Sequence, residues 1–167
     1  NLLSFSFVVG FGFSIAGSTL AGQYLGAKDP AGAMAAGWRT MSLSMGLMFI
    51  LGLIIISIAE PLASFMIDDP EVIRLTVIFI YILGAVQPLM AIEHSIGGAL
   101  RGSGDTRFPL YCTMTGLIGA RVTLSLLFYY LDMNVVWIYA ALIFDYIVKA
   151  IMLIYRFRSG VWQRVLN

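Results

Sequence analysis

Charged side chains are scarce in this chain. Only 11% of its 167 residues are charged, whereas 60% are hydrophobic. A soluble domain carries roughly a quarter charged residues, so this chain has too few of them to cover a surface in contact with water. The composition therefore excludes a soluble globular domain and predicts an integral membrane protein.

Cysteine and histidine are rarer still, because Cys112 and His94 are the single representatives of their types. A lone cysteine cannot form an intrachain disulfide. The sequence has no HExxH or DxxD motif, which argues against an intramembrane metalloprotease or lipid transferase. Its formal net charge of +1 comes without a basic stripe interleaved with aromatic residues. We therefore expect no enzyme activity, no cofactor, no metal and no nucleic-acid partner.

The segment GGALRGSGDTRFP, residues 97–109, has the glycines of a phosphate-binding loop but not its spacing. A Walker loop needs a lysine after its second glycine, and here Ser103 follows Gly102. A dinucleotide-binding loop needs a third glycine at the position of Arg107. We therefore interpret the segment as a connector between two apolar helices, with arginines that anchor the helix ends at the lipid headgroups.

Long apolar runs are abundant. Residues 2–27, 41–59 and 75–92 contain no charged side chain, and each run approaches or exceeds the roughly 20 residues that cross a bilayer as a helix. Two later runs carry only a few charges. The pattern predicts an all-α, multi-pass transmembrane helix bundle in one domain, 1–167, with spans at about 2–27, 39–59, 72–100, 108–131 and 133–155, a short interfacial helix at about 61–67, and a basic tail at 156–167.

Basic residues are concentrated on one side of the predicted membrane. The loops 27–39 and 101–107 and the tail contain most of them, whereas the opposite side has Arg74 among several acids. Because cytoplasmic loops are enriched in lysine and arginine, we expect both loops and the C-terminus to be cytoplasmic. Trp162 in the tail is expected at headgroup level.

Helix-boundary signals divide these spans. Gly26 is a candidate C-cap, and Asp29 followed by Pro30 is typical of a helix start. Asp69 and Pro70 repeat that signal.

Small residues recur every fourth position in the first span, at Ser6, Gly10, Ser14, Ser18 and Gly22. Such spacing lets two helices approach closely in lipid, although glycine is frequent in membrane helices in general. Gly116, Ala120 and Thr123 predict a similar face on the fourth span. Pro88 predicts a kink in the third.

Three ionisable residues lie in the last two spans. Arg121 and Asp145 are nearly equidistant from the turn between these spans, so both are expected near the bilayer midplane and paired. Lys149 follows Asp145 by one helical turn, in the favourable acid-before-base order, but it can alternatively extend toward the cytoplasmic surface. The three residues form either a structural charge cluster or a relay used in transport.

Glu93 has no comparable partner on its own span. Gln87 and Met90 precede it, and His94 points about a hundred degrees away around the helix. An unpaired carboxylate inside the membrane suits the exchange of protons or cations, which makes these four residues candidates for a substrate or ion path. The alternative is that Glu93, eight residues before Arg101, reaches water at the headgroups.

Three segments together carry a family resemblance: GQYLGAKDPAGAMAAGWR at 22–39, ALRGSGDTRFP at 99–109, and RFRSGVWQR at 156–164. Their order and spacing resemble the multidrug and toxic compound extrusion (MATE) family. The loop residues that carry the likeness are Gly22, Gln23, Gly26, Arg101, Gly102, Gly104, Asp105 and Thr106.

The resemblance implies a twelve-helix transporter of two lobes, of which this chain is expected to be the C-terminal half without its first helix. It also implies export of organic cations in exchange for Na⁺ or H⁺, with the lipid bilayer and the N-terminal lobe as partners. Some members carry an aspartate where Met90 stands, so coupling through that position is not expected here. The alternatives are a lipid-linked oligosaccharide flippase of related fold and a membrane assembly subunit without transport activity.

Overall fold

Five long apolar helices organise the structure. The computed structural model describes residues 2–66 and 68–164. Within these ranges the helices long and apolar enough to cross a membrane are Ser4–Gly26, Pro30–Ser57, Pro70–Gly102, Arg107–Tyr130 and Val135–Ser159. The prediction of an all-α bundle with five spans is confirmed.

The helix bounds give the element labels used below. The first three helices are α1 (Leu2–Gly26), α2 (Pro30–Ser57) and the short α3 (Ala59–Met66). The third span is α4 (Pro70–Gly102), and the last is α7 (Val135–Ser159), which a 3₁₀ turn follows at Val161–Arg164. The fourth span consists of α5 (Arg107–Met114), a π-helical segment (Thr115–Val122) and α6 (Thr123–Tyr130).

Aspartate and proline start two helices as predicted. The Asp29 carboxylate accepts a hydrogen bond from the Gly32 amide at 2.8 Å, and Asp69 accepts from the amides of Glu71 and Val72 at 2.9 and 3.4 Å. The span predicted at 39–59 therefore begins at Pro30, since apolar length marks the bilayer core and not the helix start.

The end of α1 differs from the prediction. The helix ends at Gly26, but the left-handed residue that reverses the chain is Lys28, with φ 58°.

The helix α4 is the centre of the bundle, in contact with α1, α2, α3 and α7. It continues through Pro88, whose ring removes the helical hydrogen bond to the Gly84 carbonyl. That carbonyl faces Gly52 of α2, where a side chain would collide with it. The kink predicted at Pro88 stays a prediction.

The small-residue stripe of α1 packs against α4, as predicted. A side chain at Gly98 or Gly102 would collide with the backbone of Ser14 or Ser18. A Cβ atom at Gly10 would lie 2.9 Å from the His94 ring.

The stripe predicted on the fourth span holds only in part. Gly116 and Ala120 are buried, whereas Thr123 is exposed and donates a hydrogen bond to the Ile118 carbonyl, five residues back, at 2.8 Å. The π-helical segment widens the turn and so rotates Thr123 away from the packed face.

The predicted tail is helical over its first residues, because α7 continues to Ser159 and Gly160 then adopts φ 68°. Trp162 is fully buried, with its ring stacked on Phe157 at 4.8 Å between centroids. Its indole nitrogen donates to the Phe157 carbonyl at 2.7 Å. Trp162 therefore does not present its ring to lipid, because the ring is stacked and its N–H donates a hydrogen bond inside the bundle. Its expected depth at headgroup level stays a prediction. Residues 67 and 165–167 of the predicted interfacial helix and tail lie outside the described residues.

Candidate functional site

Three ionisable side chains meet between α4 and α7, and we call Glu93, Asp145 and Lys149 the charge triad. The Lys149 Nζ atom lies 3.1 Å from Asp145 Oδ1, 3.3 Å from Asp145 Oδ2 and 3.7 Å from Glu93 Oε1. The side chains of Asp145 and Lys149 are 1% and 8% exposed, whereas that of Glu93 is 24% exposed. The triad therefore opens to its surroundings through Glu93.

A glycine makes room for the buried part of the triad. Gly116, in the π-helical segment, faces Asp145 and Lys149 so closely that a Cβ atom would collide with Asp145 Oδ1 and lie 2.6 Å from Lys149 Cε. The π-helical segment thus supplies a backbone surface against the two charged side chains. Such segments occur often at functional sites.

The predicted pair of Arg121 and Asp145 is not formed. Arg121 is exposed, and within residues 2–66 and 68–164 it makes no ion pair. It instead lines a small cavity of about 110 Å³ with Met90 and Tyr146. The two residues were expected to pair because they lie at equal depth on adjacent helices. Contact also depends on the direction of each side chain around its helix, and Arg121 lines the cavity beside Tyr146 without an ion pair to Asp145.

The prediction that Glu93 is unpaired is also wrong. Its partner Lys149 lies on α7, two spans further along the chain, so charges on the span of Glu93 itself do not reveal the contact. The signal that could have indicated the contact is the length of the lysine side chain beside a glycine, Gly116, on the neighbouring span.

An open groove of about 540 Å³ lies between α1 and α4 on the exposed side of Glu93. Its α4 wall carries Glu93, His94 and Arg101, and its α1 wall combines hydroxyl and apolar side chains: Phe7, Phe11, Ser14, Ile15, Ser18 and Thr19. Glu93 therefore belongs both to the triad and to the groove.

His94 is fixed within this groove. Its Nδ1 atom lies 2.8 Å from the Met90 carbonyl oxygen, and its ring meets the Phe7 ring edge-on at 5.9 Å between centroids. Glu93 and His94 are consecutive residues, about a hundred degrees apart around α4, and their side chains lie next to each other on the groove wall.

Gln87 and Met90 lie away from the groove. Both are almost fully buried. The Gln87 amide nitrogen donates to Ser6 Oγ at 2.9 Å, and its carbonyl oxygen has no hydrogen-bond partner among the described residues. The four candidates for a substrate or ion path are thus divided, with Gln87 and Met90 buried between helices and Glu93 and His94 on the groove wall.

The glycine-rich connector is a structural junction. Asp105 binds the Arg156 guanidinium at 2.7 Å, and Arg156 also lies over the Phe108 ring at 5.0 Å. Arg101 donates to Ser14 Oγ at 3.0 Å, and Gly104 turns the chain with φ 88°. Gln23, Gly26 and Thr106 are exposed, and Gly22 packs on the Gly102 carbonyl.

The described residues contain no group of three or more His, Cys, Asp and Glu side chains able to hold a metal ion. The chemistry that the site offers is therefore that of charges: a carboxylate that faces a groove and an ammonium that supports it from behind.

Curated proteins resemble most of the chain. A model of the MatE family matches residues 1–127. A probable multidrug resistance protein NorM from Thermotoga maritima is 31% identical over 98% of this chain and 36% of its own length. The uncharacterized transporter YisQ from Bacillus subtilis is 25% identical over 93% of this chain and 35% of its own length. The chain thus spans about a third of the length of these relatives.

Two solved structures share the fold. An inward-facing multidrug resistance MATE family transporter of the MOP superfamily matches 90% of this chain and 34% of its own, with a TM-score of 0.77 and 23% identity. The eukaryotic MATE transporter AtDTX14 matches 98% of this chain and 38% of its own, with a TM-score of 0.82 and 17% identity. With the family match, these likenesses show that the chain belongs to the multidrug and toxic compound extrusion (MATE) family.

Proposed function

We propose that this chain forms part of a cation-coupled antiporter that exports organic cations, drugs among them, across the cell membrane in exchange for Na⁺ or H⁺. The observation that carries the proposal is the position of Glu93, which joins the open groove to the buried ammonium of Lys149. A substrate cation in the groove and a coupling ion would compete for this one carboxylate.

The groove has the chemistry that an organic cation requires. Phe7 and Phe11 present aromatic rings on the α1 wall, opposite the Glu93 carboxylate. Aromatic faces attract organic ammonium groups through their quadrupole, and a carboxylate adds the opposite charge. The aromatic faces and the carboxylate both repel an anionic substrate, so this part of the groove favours cations.

The same features disfavour a lipid-linked oligosaccharide flippase. A pyrophosphate requires a groove rich in cations. Lys149 is held by two carboxylates, and Arg121 does not line the groove. Arg101 lines it but donates to Ser14.

Removal of the Glu93 charge tests the proposal. Glu93→Gln keeps the side-chain shape, so the complete transporter should fold and insert, but gradient-driven efflux should fall by about tenfold or more because ion and substrate lose their shared carboxylate. Efflux of a cationic dye from proteoliposomes under an imposed pH or Na⁺ gradient measures this loss.

Glu60→Gln is the matched control, because Glu60 is an exposed carboxylate on α3. It should leave efflux unchanged. Wild-type efflux in Glu93→Gln would contradict the assignment of Glu93, and absence of efflux from the wild type under either gradient would favour a non-transporting assembly subunit.

A further inference from the structure

We propose that the Lys149 ammonium is a tethered cation that occupies the space between Glu93 and Asp145, so that this site takes up a proton and rejects Na⁺. This inference rests on the proposed function, because it names the coupling ion of the same site. It makes Lys149 the residue that determines ion specificity.

The geometry places the ammonium where a bridging ion would bind. Its nitrogen lies 3.1 and 3.3 Å from the two Asp145 oxygens and 3.7 Å from Glu93 Oε1. Asp145 is 1% exposed, and the Gly116 backbone packs against both side chains of α7. No space is left there for a second cation.

The charges leave the triad one positive charge short of neutrality, because two carboxylates surround one ammonium. Among the described residues, the other ionisable groups around Glu93 and its neighbours are His94 and Arg101 on α4, Cys112 on α5, Arg121 in the π-helical segment and Tyr146 on α7. The helix α1 has no charged residue, and Arg39 of α2 is exposed. Arg101 on the same groove wall also attracts the Glu93 carboxylate. Within the triad itself, one proton on Glu93 would balance the remaining negative charge.

Na⁺ would have to compete with Lys149 and other partners for its ligands at this position. Hard cations bind several oxygen atoms at once. Both Asp145 oxygens are already in contact with Lys149, and the Ser14 hydroxyl accepts a hydrogen bond from Arg101. The Met90 carbonyl is engaged with His94. A proton needs only one oxygen of Glu93.

Proton uptake at this position has a mechanical consequence. Asp145 and Lys149 belong to the same helix, one turn apart, so the contact between Glu93 and Lys149 is the part of the triad that connects α4 to α7. A proton on Glu93 cancels its attraction for the ammonium, which then remains with Asp145. Protonation thus releases the electrostatic link between the two helices.

Thermal unfolding of the complete transporter in detergent tests the inference without any transport measurement. A ligand that binds the folded state raises Tm. The Tm difference between NaCl and KCl at equal ionic strength and constant pH should be larger in Lys149→Gln than in the wild type, because Na⁺ can enter the vacated space. Lys149→Arg keeps the cation and should behave as the wild type.

If Lys149→Gln does not fold, the double variant Lys149→Gln, Asp145→Asn restores a triad with one net negative charge and no ammonium. It should show the same Na⁺ response. An equal Tm difference in the wild type and in the folded ammonium-free variant would overturn the inference.

Efflux from proteoliposomes separates this inference from the proposed function. We expect wild-type efflux to follow a pH gradient and Lys149→Gln to acquire a dependence on Na⁺. A different result is that wild-type efflux follows a Na⁺ gradient and that Glu93→Gln abolishes this dependence. That result would overturn the inference that Lys149 is a tethered cation, but it would support the proposed antiporter. Loss of all gradient-driven efflux in the wild type would contradict the antiporter, whatever the Tm differences show.

Discussion

Gly116 determines where two buried charged side chains can lie. The absence of a side chain there allows Asp145 and Lys149 to pack directly on the backbone of the π-helical segment. An uncompensated charge inside a membrane protein is costly, so the close Asp145–Lys149 contact is the condition under which both can be buried. The identity of one uncharged residue therefore supports the position of the whole charge triad.

Gly116→Ala should lower the free energy of unfolding by about 1–3 kcal/mol, the usual cost of an overpacked interior. The added methyl group would displace Asp145 or Lys149 from their contact. The matched control is Gly119→Ala in the same π-helical segment, whose Cβ atom would meet only Thr115 Cγ2, at 3.7 Å. Thermal unfolding in detergent measures both variants, and an equal loss of stability in the two would show that the triad does not depend on Gly116.

At the level of the helices, α1 and α4 approach each other closely, and each helix supplies one wall of the groove. Gly98 and Gly102 lie against the backbone of Ser14 and Ser18. Because lipid tails are as apolar as the helices, such packing, and not the hydrophobic effect, stabilises helix association in a membrane. The same approach brings Arg101 within hydrogen-bond distance of Ser14.

Gly98→Ala should separate α1 from α4 and reduce both stability and transport. We expect a loss of about 1–3 kcal/mol in the free energy of unfolding, because the methyl group meets backbone atoms that cannot rotate away. Gly46→Ala on α2 is the control, since no atom lies within 4 Å of the Cβ position there. The Tm values of the two variants measure this difference. A Gly98→Ala protein as stable as Gly46→Ala would contradict the close packing of α1 on α4.

For the whole molecule, α4 packs at the centre of the bundle. The outer faces of α1 and α2 are apolar. Large side chains are exposed on both helices, among them Phe5, Val8, Leu43 and Ile50. We propose that lipid and the N-terminal lobe of the same transporter cover these faces. The distribution of arginine and lysine predicts that the basic loops 27–39 and 101–107 lie on the cytoplasmic side.

Cysteine labelling tests this orientation. Thr106→Cys and Ser159→Cys, both at exposed positions, should resist an impermeant thiol reagent in intact cells and react after the membrane is opened. Ser64→Cys on α3, also exposed, should react from outside, because α3 belongs to the opposite side of the membrane. The measurement uses a transporter background from which other cysteines have been removed, and labelling of Thr106→Cys or Ser159→Cys in intact cells would reverse the orientation.

The class of the protein, the number of its spans and its local helix signals can be predicted from the amino-acid sequence alone. These properties depend on neighbours along one chain segment: apolar length predicts a span, Asp29 and Asp69 cap the helices that follow them, and a small residue at every fourth position marks a packing face. The glycine-rich motif was likewise recognisable as a connector, because the spacing required for phosphate is absent.

Which charged side chains meet depends on how the helices pack. Sequence position gives the depth of a residue in the membrane, but contact also depends on the direction in which each helix turns its side chains. Lys149 reaches Glu93 because α7 packs beside α4 and Gly116 leaves room between them. Arg121 lies on the same π-helical segment but lines the cavity beside Tyr146 and makes no ion pair with Asp145, so equal depth did not produce a pair.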